Sequence, residues 1–221
     1  MDTPDTPPRR AVLFDMDGVL IDSEREWHRS GAVFLNTLYG ETLRARMGDT
    51  VGLSVDDEYD LASSRGYRMD RDAFYEAYDR QAAVTYSQAL ITPNLDSAFR
   101  LIFDLGFTVG IVTASRRPWL DTVLGRLAAK DCVTYSLALG ERRELRSKPH
   151  PDGYLAAMHD LRVLPEHTIV VEDSNNGIRA GKAAGAYVIG FREHLLDGYH
   201  QNGADAYVNT MDDVLQLIRA V

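Results

Sequence analysis

The sequence predicts an α/β fold: a Rossmann-like parallel sheet with helices on both faces and an inserted helical cap domain. Strand-length apolar runs alternate with amphipathic helical stripes from residue 92 onward, the pattern of parallel strands joined by right-handed crossovers. A first strand stands apart at Ala11–Phe14, and the block between it and residue 92 carries helical signals without a convincing strand. Residues 11–23 and 92–221 are therefore assigned to the α/β core, 24–91 to the cap, and the proline-rich 1–10 to a disordered tail.

The stretch AVLFDMDGVLI is an apolar strand that ends in two aspartates one residue apart, Asp15 and Asp17, followed at once by Gly18. In the next segment Trp27, Gly31, Phe34, Leu35 and Leu38 share one helical stripe that ends near Gly40. Residues 41–91 continue helical, with Asp70 as an N-cap, broken by glycines at 48, 52 and 66. Helix 95–105 then leads into strand 107–112 and Thr113-Ala114-Ser115, and helix 118–129 into strand 132–138. Helix 151–160 precedes the strand TIVVE at 168–172, which opens onto Asp173-Ser174. Helix 177–184, strand 186–190, a short strand at 206–208 and helix 211–220 complete the order.

Composition narrows the function. The chain has 221 residues, 45% of them apolar, and a formal charge of -9 at pH 7. That charge argues against a nucleic-acid partner, because a phosphate backbone needs a clustered basic surface. A single cysteine, Cys132, admits no internal disulfide, and no Cys/His spacing marks a zinc site. The N-terminus reads as neither a secretory signal nor an anchor, and no window has the apolar length of a membrane span. The expectation is a cytoplasmic protein without a membrane partner, and nothing in the sequence demands more than a monomer.

Asp15, Asp17, Thr113, Glu172 and Asp173 each fall at, or just past, the end of an expected strand, and Lys148 falls in the loop that follows one. In an open α/β sheet those ends meet in one crevice. Carboxylates gathered there call for a cation, and an all-oxygen set suits magnesium. A lysine and a hydroxyl beside them describe a site for a phosphoryl group. Taken singly, each has a plainer reading: a solvated turn for the Asp pair, a strand end for Thr113, an N-cap for the Glu-Asp-Ser run.

The ordered set Asp15-Met16-Asp17-Gly18, Thr113, Lys148-Pro149 and Glu172-Asp173-Ser174 resembles the haloacid dehalogenase (HAD) superfamily of phosphohydrolases. Within it the chain resembles the branch of beta-phosphoglucomutase and the small sugar-phosphate phosphatases. The resemblance implies that Asp15 is the nucleophile that forms an aspartyl phosphate. It implies that Asp17 protonates the leaving alkoxide and then activates water, with its backbone carbonyl toward the metal. Thr113 and the Ala114 amide would hold a phosphoryl oxygen, with the amides around Met16 also close to it, and Lys148 would neutralise charge. Asp15, Asp17, Asp173 and Glu172 would form the Mg2+ shell.

Substrate contacts are expected from Trp27, Gly52, Ser54, Ser115 and Arg116, and Asp152 is expected to fix the lysine loop. Between the reactions of this branch, the cap decides. The mutases carry an arginine just after the glycine-containing cap loop, where this chain has Val55, and a cap lysine. The chain's three lysines lie at 130, 148 and 182, outside residues 24–91. The departure favours a magnesium-dependent phosphatase acting on a small phosphorylated sugar or sugar alcohol. Isomerisation of the beta-phosphoglucomutase type is the alternative. A non-catalytic phospho-receiver is disfavoured, since a receiver has no helical insertion after its first strand.

Overall fold

The computed structural model describes residues 9–47, 55–142 and 144–220. Its strands are β1 (Arg10–Phe14), β2 (Phe107–Thr113), β3 (Val133–Ala138), β4 (Thr168–Glu172), β5 (Tyr187–Phe191) and β6 (Ala206–Val208). The helices are α1 (Ser23–Tyr39), α2 (Glu41–Met47), α3 (Val55–Ser64), α4 (Arg71–Gln88), α5 (Leu95–Asp104), α6 (Arg117–Arg126), α7 (Asp152–Leu161), α8 (Asn175–Ala183) and α9 (Met211–Arg219).

All strands run parallel in the order β3-β2-β1-β4-β5-β6. The chain winds outward from β1 to β3, then restarts beside β1 at β4, so the order reverses between β1 and β4. That reversal opens the crevice in which such sheets bind ligands. Central position explains the composition of β1: Ala11 through Phe14 are all fully buried, as a strand covered on both faces requires. Alternate side chains serve alternate layers. Val12 and Phe14 join α5, α6 and α9 through Phe99, Leu120 and Ile218, while Ala11 and Leu13 join α7 and α8 through Tyr154, Met158 and Ile178.

Helices α1 to α4 lie between β1 and α5 in sequence, as the helical block predicted. Asp70 caps α4, its carboxylate accepting from Asp72 N at 2.9 Å and Ala73 N at 3.2 Å. The two segments that join this block to the sheet pair with each other. Asp22 N donates to Leu90 O at 2.8 Å, Thr92 N donates to Leu20 O at 3.0 Å, and Ile21 and Ile91 form an antiparallel bridge. His194, in the loop after β5, closes this junction: its Nε2 lies 2.8 Å from Thr92 Oγ1. That hydroxyl donates to Val19 O at 2.6 Å, so the imidazole nitrogen is the donor to it. The apolar layer under α5 and α6 continues without a break into the helical block through Tyr86, Trp119 and Trp27. No helix among the described residues is long and apolar enough to cross a membrane.

Three boundary differences have a physical reason in the structure. β1 begins at Arg10, inside the stretch assigned to the tail, because Arg10 already pairs with Phe107. α6 stops at Arg126 rather than 129: Leu127 turns extended, and a short 3-10 turn at Lys130–Cys132 leads into β3. α8 begins at Asn175, two residues early, because Ser174 caps it by accepting from Gly177 N.

Candidate active site

Asp15 is the first residue beyond β1. Its N–H donates to Val171 O at 3.0 Å, so β pairing continues until the carboxylate is delivered. The chain then turns sharply, with Leu20 N donating to Met16 O at 2.8 Å and Gly18 at φ 71°. Two constraints coincide at Gly18. The left-handed backbone disfavours a side chain, and a Cβ there would overlap the Asp173 carboxylate. Gly18 thus lets the β1 turn and the β4 turn close on each other.

Lys148 reaches the same point from the loop before α7. Its Nζ stands 2.6 Å from Asp15 Oδ1, 2.6 Å from Glu172 Oε1 and 3.1 Å from Val112 O. The loop that carries it is held by Asp152, which accepts from Arg146 N at 3.0 Å, Nε at 2.9 Å and a terminal guanidinium nitrogen at 2.9 Å. Asp152 therefore fixes the lysine loop, as expected. Glu172 ends β4 with no exposed surface and is held on both oxygens. Tyr154 donates to Oε1 at 2.7 Å and Ser174 Oγ to Oε2 at 3.2 Å. Gly177 gives this carboxylate its room, since a Cβ at 177 would overlap it. The Glu-Asp-Ser run thus caps a helix and presents carboxylates together.

Oxygens of Asp15, Glu172 and Asp173 lie within 4.8 Å of one another. With all three ionised, three negative charges less the Lys148 ammonium leave a net charge of two, the deficit one divalent cation fills. All donors are oxygen, which fits a hard cation. The titration behaviour agrees with a crowded acidic cavity. Burial, then the charges of Asp15 and Glu172, push the Asp173 carboxyl well above its usual range. Asp15 is pushed up to about 7 by burial, against the pull of Lys148 and with the repulsion of Glu172 and Asp17. Burial alone would favour neutral Lys148, but the charges of Asp15 and Glu172 outweigh it and keep it an ammonium.

Asp17 faces elsewhere. Ser23 Oγ donates to its Oδ1 at 2.6 Å, Tyr86 Oη to the same oxygen at 2.7 Å, and Ser115 Oγ to its Oδ2 at 2.6 Å. Its side chain is absent from the carboxylate triad, which leaves its backbone carbonyl as the route by which it would serve a cation. Ser115 N donates to Thr113 Oγ1 at 3.0 Å, which turns the loop after β2 toward Asp17. Thr113 is buried at the strand end, and Ala114 stands exposed beside it.

The expected substrate contacts divide. Ser115 is at the site, through Asp17. Trp27 sits in a nest of rings, with Phe34, Tyr78, Tyr86 and Trp119 at centroid distances of 6.1 to 6.4 Å. Arg116 bonds Asp79 of α4 at 2.8 Å and lies over the Tyr75 ring, and Trp119 Nε1 donates to the same Asp79 oxygen at 2.7 Å. Gly52 and Ser54 lie outside the described residues. Four residues enter that sequence reasoning did not single out. Ser23 and Gly177 lie within a few residues of the aspartate turn and of the Glu-Asp-Ser run, whereas Tyr86 and Tyr154 gave no signal beyond a helical stripe. Glu24 also stands close enough to Asp17 to feel its charge, and burial, with Asp17 and Asp22, pushes it up to about 7.

Comparison with known proteins agrees with this geometry. The family model of haloacid dehalogenase-like hydrolases matches residues 9–185. Hexitol phosphatase B of Escherichia coli K12 is 33% identical over 178 residues, 79% of each chain. Phosphoglycolate phosphatase of Salmonella typhimurium is 28% identical over 225 residues, covering 89% of this chain and 85% of that one. Among solved structures, CbbY from Rhodobacter sphaeroides in complex with phosphate superposes with a TM-score of 0.71 at 21% identity. That superposition, a likeness of fold, covers 93% of this chain and 96% of the other. A parallel sheet whose strand ends gather Asp15, Lys148, Glu172 and Asp173, under a matching family model, places the chain: it belongs to the haloacid dehalogenase-like hydrolases and is a phosphoric monoester hydrolase.

Proposed function

We propose that the chain is a magnesium-dependent phosphatase that hydrolyses a small phosphorylated sugar or sugar alcohol through an aspartyl phosphate on Asp15. One observation carries the reading: the two aspartates of one short turn are held for different work. Asp15 is paired with an ammonium among buried carboxylates, and Asp17 is turned away into three hydroxyls.

In this reading an Asp15 oxygen attacks phosphorus, the bond from phosphorus to the sugar oxygen breaks, and Asp17 gives its proton to the departing alkoxide. Asp17, now a carboxylate, takes a proton from water as that water attacks the aspartyl phosphate. Phosphate leaves and Asp15 is regenerated. Thr113, the Ala114 amide and the turn at Met16 hold phosphoryl oxygens, and Lys148 keeps Asp15 ionised and screens its approach to an anion. Asp15, Asp173, Glu172 and the Asp17 carbonyl would hold Mg2+, which supplies positive charge against the phosphoryl oxygens. Residues 24–91 act as the cap that excludes water and selects the substrate.

The hexitol phosphatase relative supports a polyol phosphate as substrate. The commitment of Arg116 to Asp79 supports hydrolysis over isomerisation, because it removes a cation that a second phosphate would use. Purified protein with Mg2+ is expected to release phosphate from members of a panel of hexose and hexitol phosphates, and Asp15→Asn to release none. Conversion of beta-glucose 1-phosphate to glucose 6-phosphate with a trace of bisphosphate, without free phosphate, would overturn the assignment.

A further inference from the structure

We infer that Tyr86, on α4, is a positioning residue for proton transfer: its phenol fixes the Asp17 carboxylate where the leaving oxygen of the substrate needs it. The inference rests on the reading of Asp17 as proton donor to that oxygen.

The three hydroxyls on Asp17 come from three separate elements: Ser23 at the start of α1, Tyr86 near the end of α4, and Ser115 in the loop after β2. They are not equivalent. A serine hydroxyl rotates freely about a short side chain. A phenol has only its ring plane to turn in, and this ring is immobilised. Tyr86 is 1% exposed, stands edge-on to Trp27 at 6.4 Å and packs on Trp119 at 5.7 Å. Its backbone carbonyl accepts from the Arg126 guanidinium of α6, so the residue is anchored at both ends. Tyr86 Oη also lies 3.3 Å from Ser115 Oγ, which closes a ring of Asp17, Tyr86 and Ser115 that spans both carboxylate oxygens.

Such a ring can serve Asp17 in either protonation state. While Asp17 is a carboxylate, both hydroxyls donate to it. When Oδ2 carries the proton meant for the leaving oxygen, Ser115 turns to donate to Tyr86 Oη, while Tyr86 continues to donate to Oδ1. The Oδ2 proton then stays free to pass to the leaving oxygen, and the Tyr86 and Ser115 hydroxyls each keep a partner. Burial and the charge of Asp17 both raise the phenol's pKa, so Tyr86 remains a donor and is not itself the proton source.

The test uses the dependence on leaving group. A general acid matters for an alkoxide, which needs a proton to depart, and little for p-nitrophenolate, which does not. The ratio kcat/KM ends at formation of the aspartyl phosphate, so the later attack of water does not enter. With Mg2+ present, Tyr86→Phe is expected to lower kcat/KM on a hexitol phosphate about 10-fold or more and on p-nitrophenyl phosphate less than about 3-fold, a part of the effect of general acid catalysis. Asp17→Asn is expected to show the same contrast more strongly.

Arg126→Ala, which loosens Tyr86 without touching Asp17, is expected to lower the alkyl-to-aryl ratio in the same sense and by less. It keeps the question open to test should Tyr86→Phe fold poorly. Equal losses on both substrates in Tyr86→Phe and Arg126→Ala would overturn the role of Tyr86 while leaving that of Asp17 intact. Equal losses in Asp17→Asn would overturn the reading of Asp17 and this inference with it.

Discussion

Replacing Lys148 by Met tests the electrostatic account of the site, because Met keeps the aliphatic length and removes the charge. Lys148 is 9% exposed and lies 2.6 Å from carboxylates of Asp15 and Glu172, themselves 10% and 0% exposed. Removing one partner of a buried ion pair costs about 3–5 kcal/mol, since the other charge is left uncompensated. For a chain of this length that is roughly 6–20 °C in melting temperature. The cost depends on pH, and its sign follows from Asp15. Its carboxyl is pushed up to about 7 in the folded state against an ordinary 3.8, so between those values the folded chain holds a proton that the unfolded chain has released. Stability therefore falls as pH rises through that window. Lys148 is the group that pulls Asp15 down, so its loss widens the window upward. The metal-free variant is expected to melt further below its parent at pH 8 than at pH 5.5, by calorimetry or circular dichroism in chelator. A divalent cation at about 100 times its dissociation constant for the variant adds about 2.7 kcal/mol to the variant's stability. A Lys148→Met protein that melts with its parent at pH 8 in chelator, or that shows the same deficit at both pH values, would refute the reasoning.

Gly177→Ala places a methyl in the space of the Glu172 carboxylate and is expected to abolish Mg2+-dependent activity while far-UV circular dichroism stays helical, read by phosphate release across a Mg2+ titration. Asp152→Asn loses the charged fork to Arg146 that holds the lysine loop, and kcat is expected to fall several-fold with a stability loss of about 1 kcal/mol or less, because the pair is solvent-exposed. His194 is held below its ordinary value by burial, with Asp22 opposing. The unfolded chain therefore takes up protons first as pH falls through about 6.5, and stability drops with it. Denaturant midpoints measured from pH 7.5 to 5 are expected to fall less steeply in His194→Gln.

The core of the site was legible because strand ends are local events. Asp15, Thr113 and Glu172 each close an apolar run, and a parallel sheet then gathers the ends whatever the loops do. Lys148 lacked that advantage and was recognised only through the ordered set of motifs around it. Tyr154 and Tyr86 were illegible for a physical reason. Each sits on the buried face of a helix, where the 3.6-residue period marks it as core and cannot say that its hydroxyl passes the apolar layer to reach Glu172 or Asp17. Arg116 shows the converse. Its position after Thr113 suggested a substrate contact, and only the fold reveals Asp79 and the Tyr75 ring against it.

The pairing of residues 20–22 with 90–92 has a consequence for how the two parts of the chain bear on each other. The helical block leaves the sheet and returns to it through adjacent, hydrogen-bonded segments, about one strand spacing apart. To β1 and α5, the whole excursion is therefore equivalent to a tight turn. Its length imposes no strain on the sheet's register, and besides this two-stranded ribbon the helices meet the core at α6, where Asp79 accepts from Arg116 and Trp119 and the Tyr86 carbonyl accepts from Arg126.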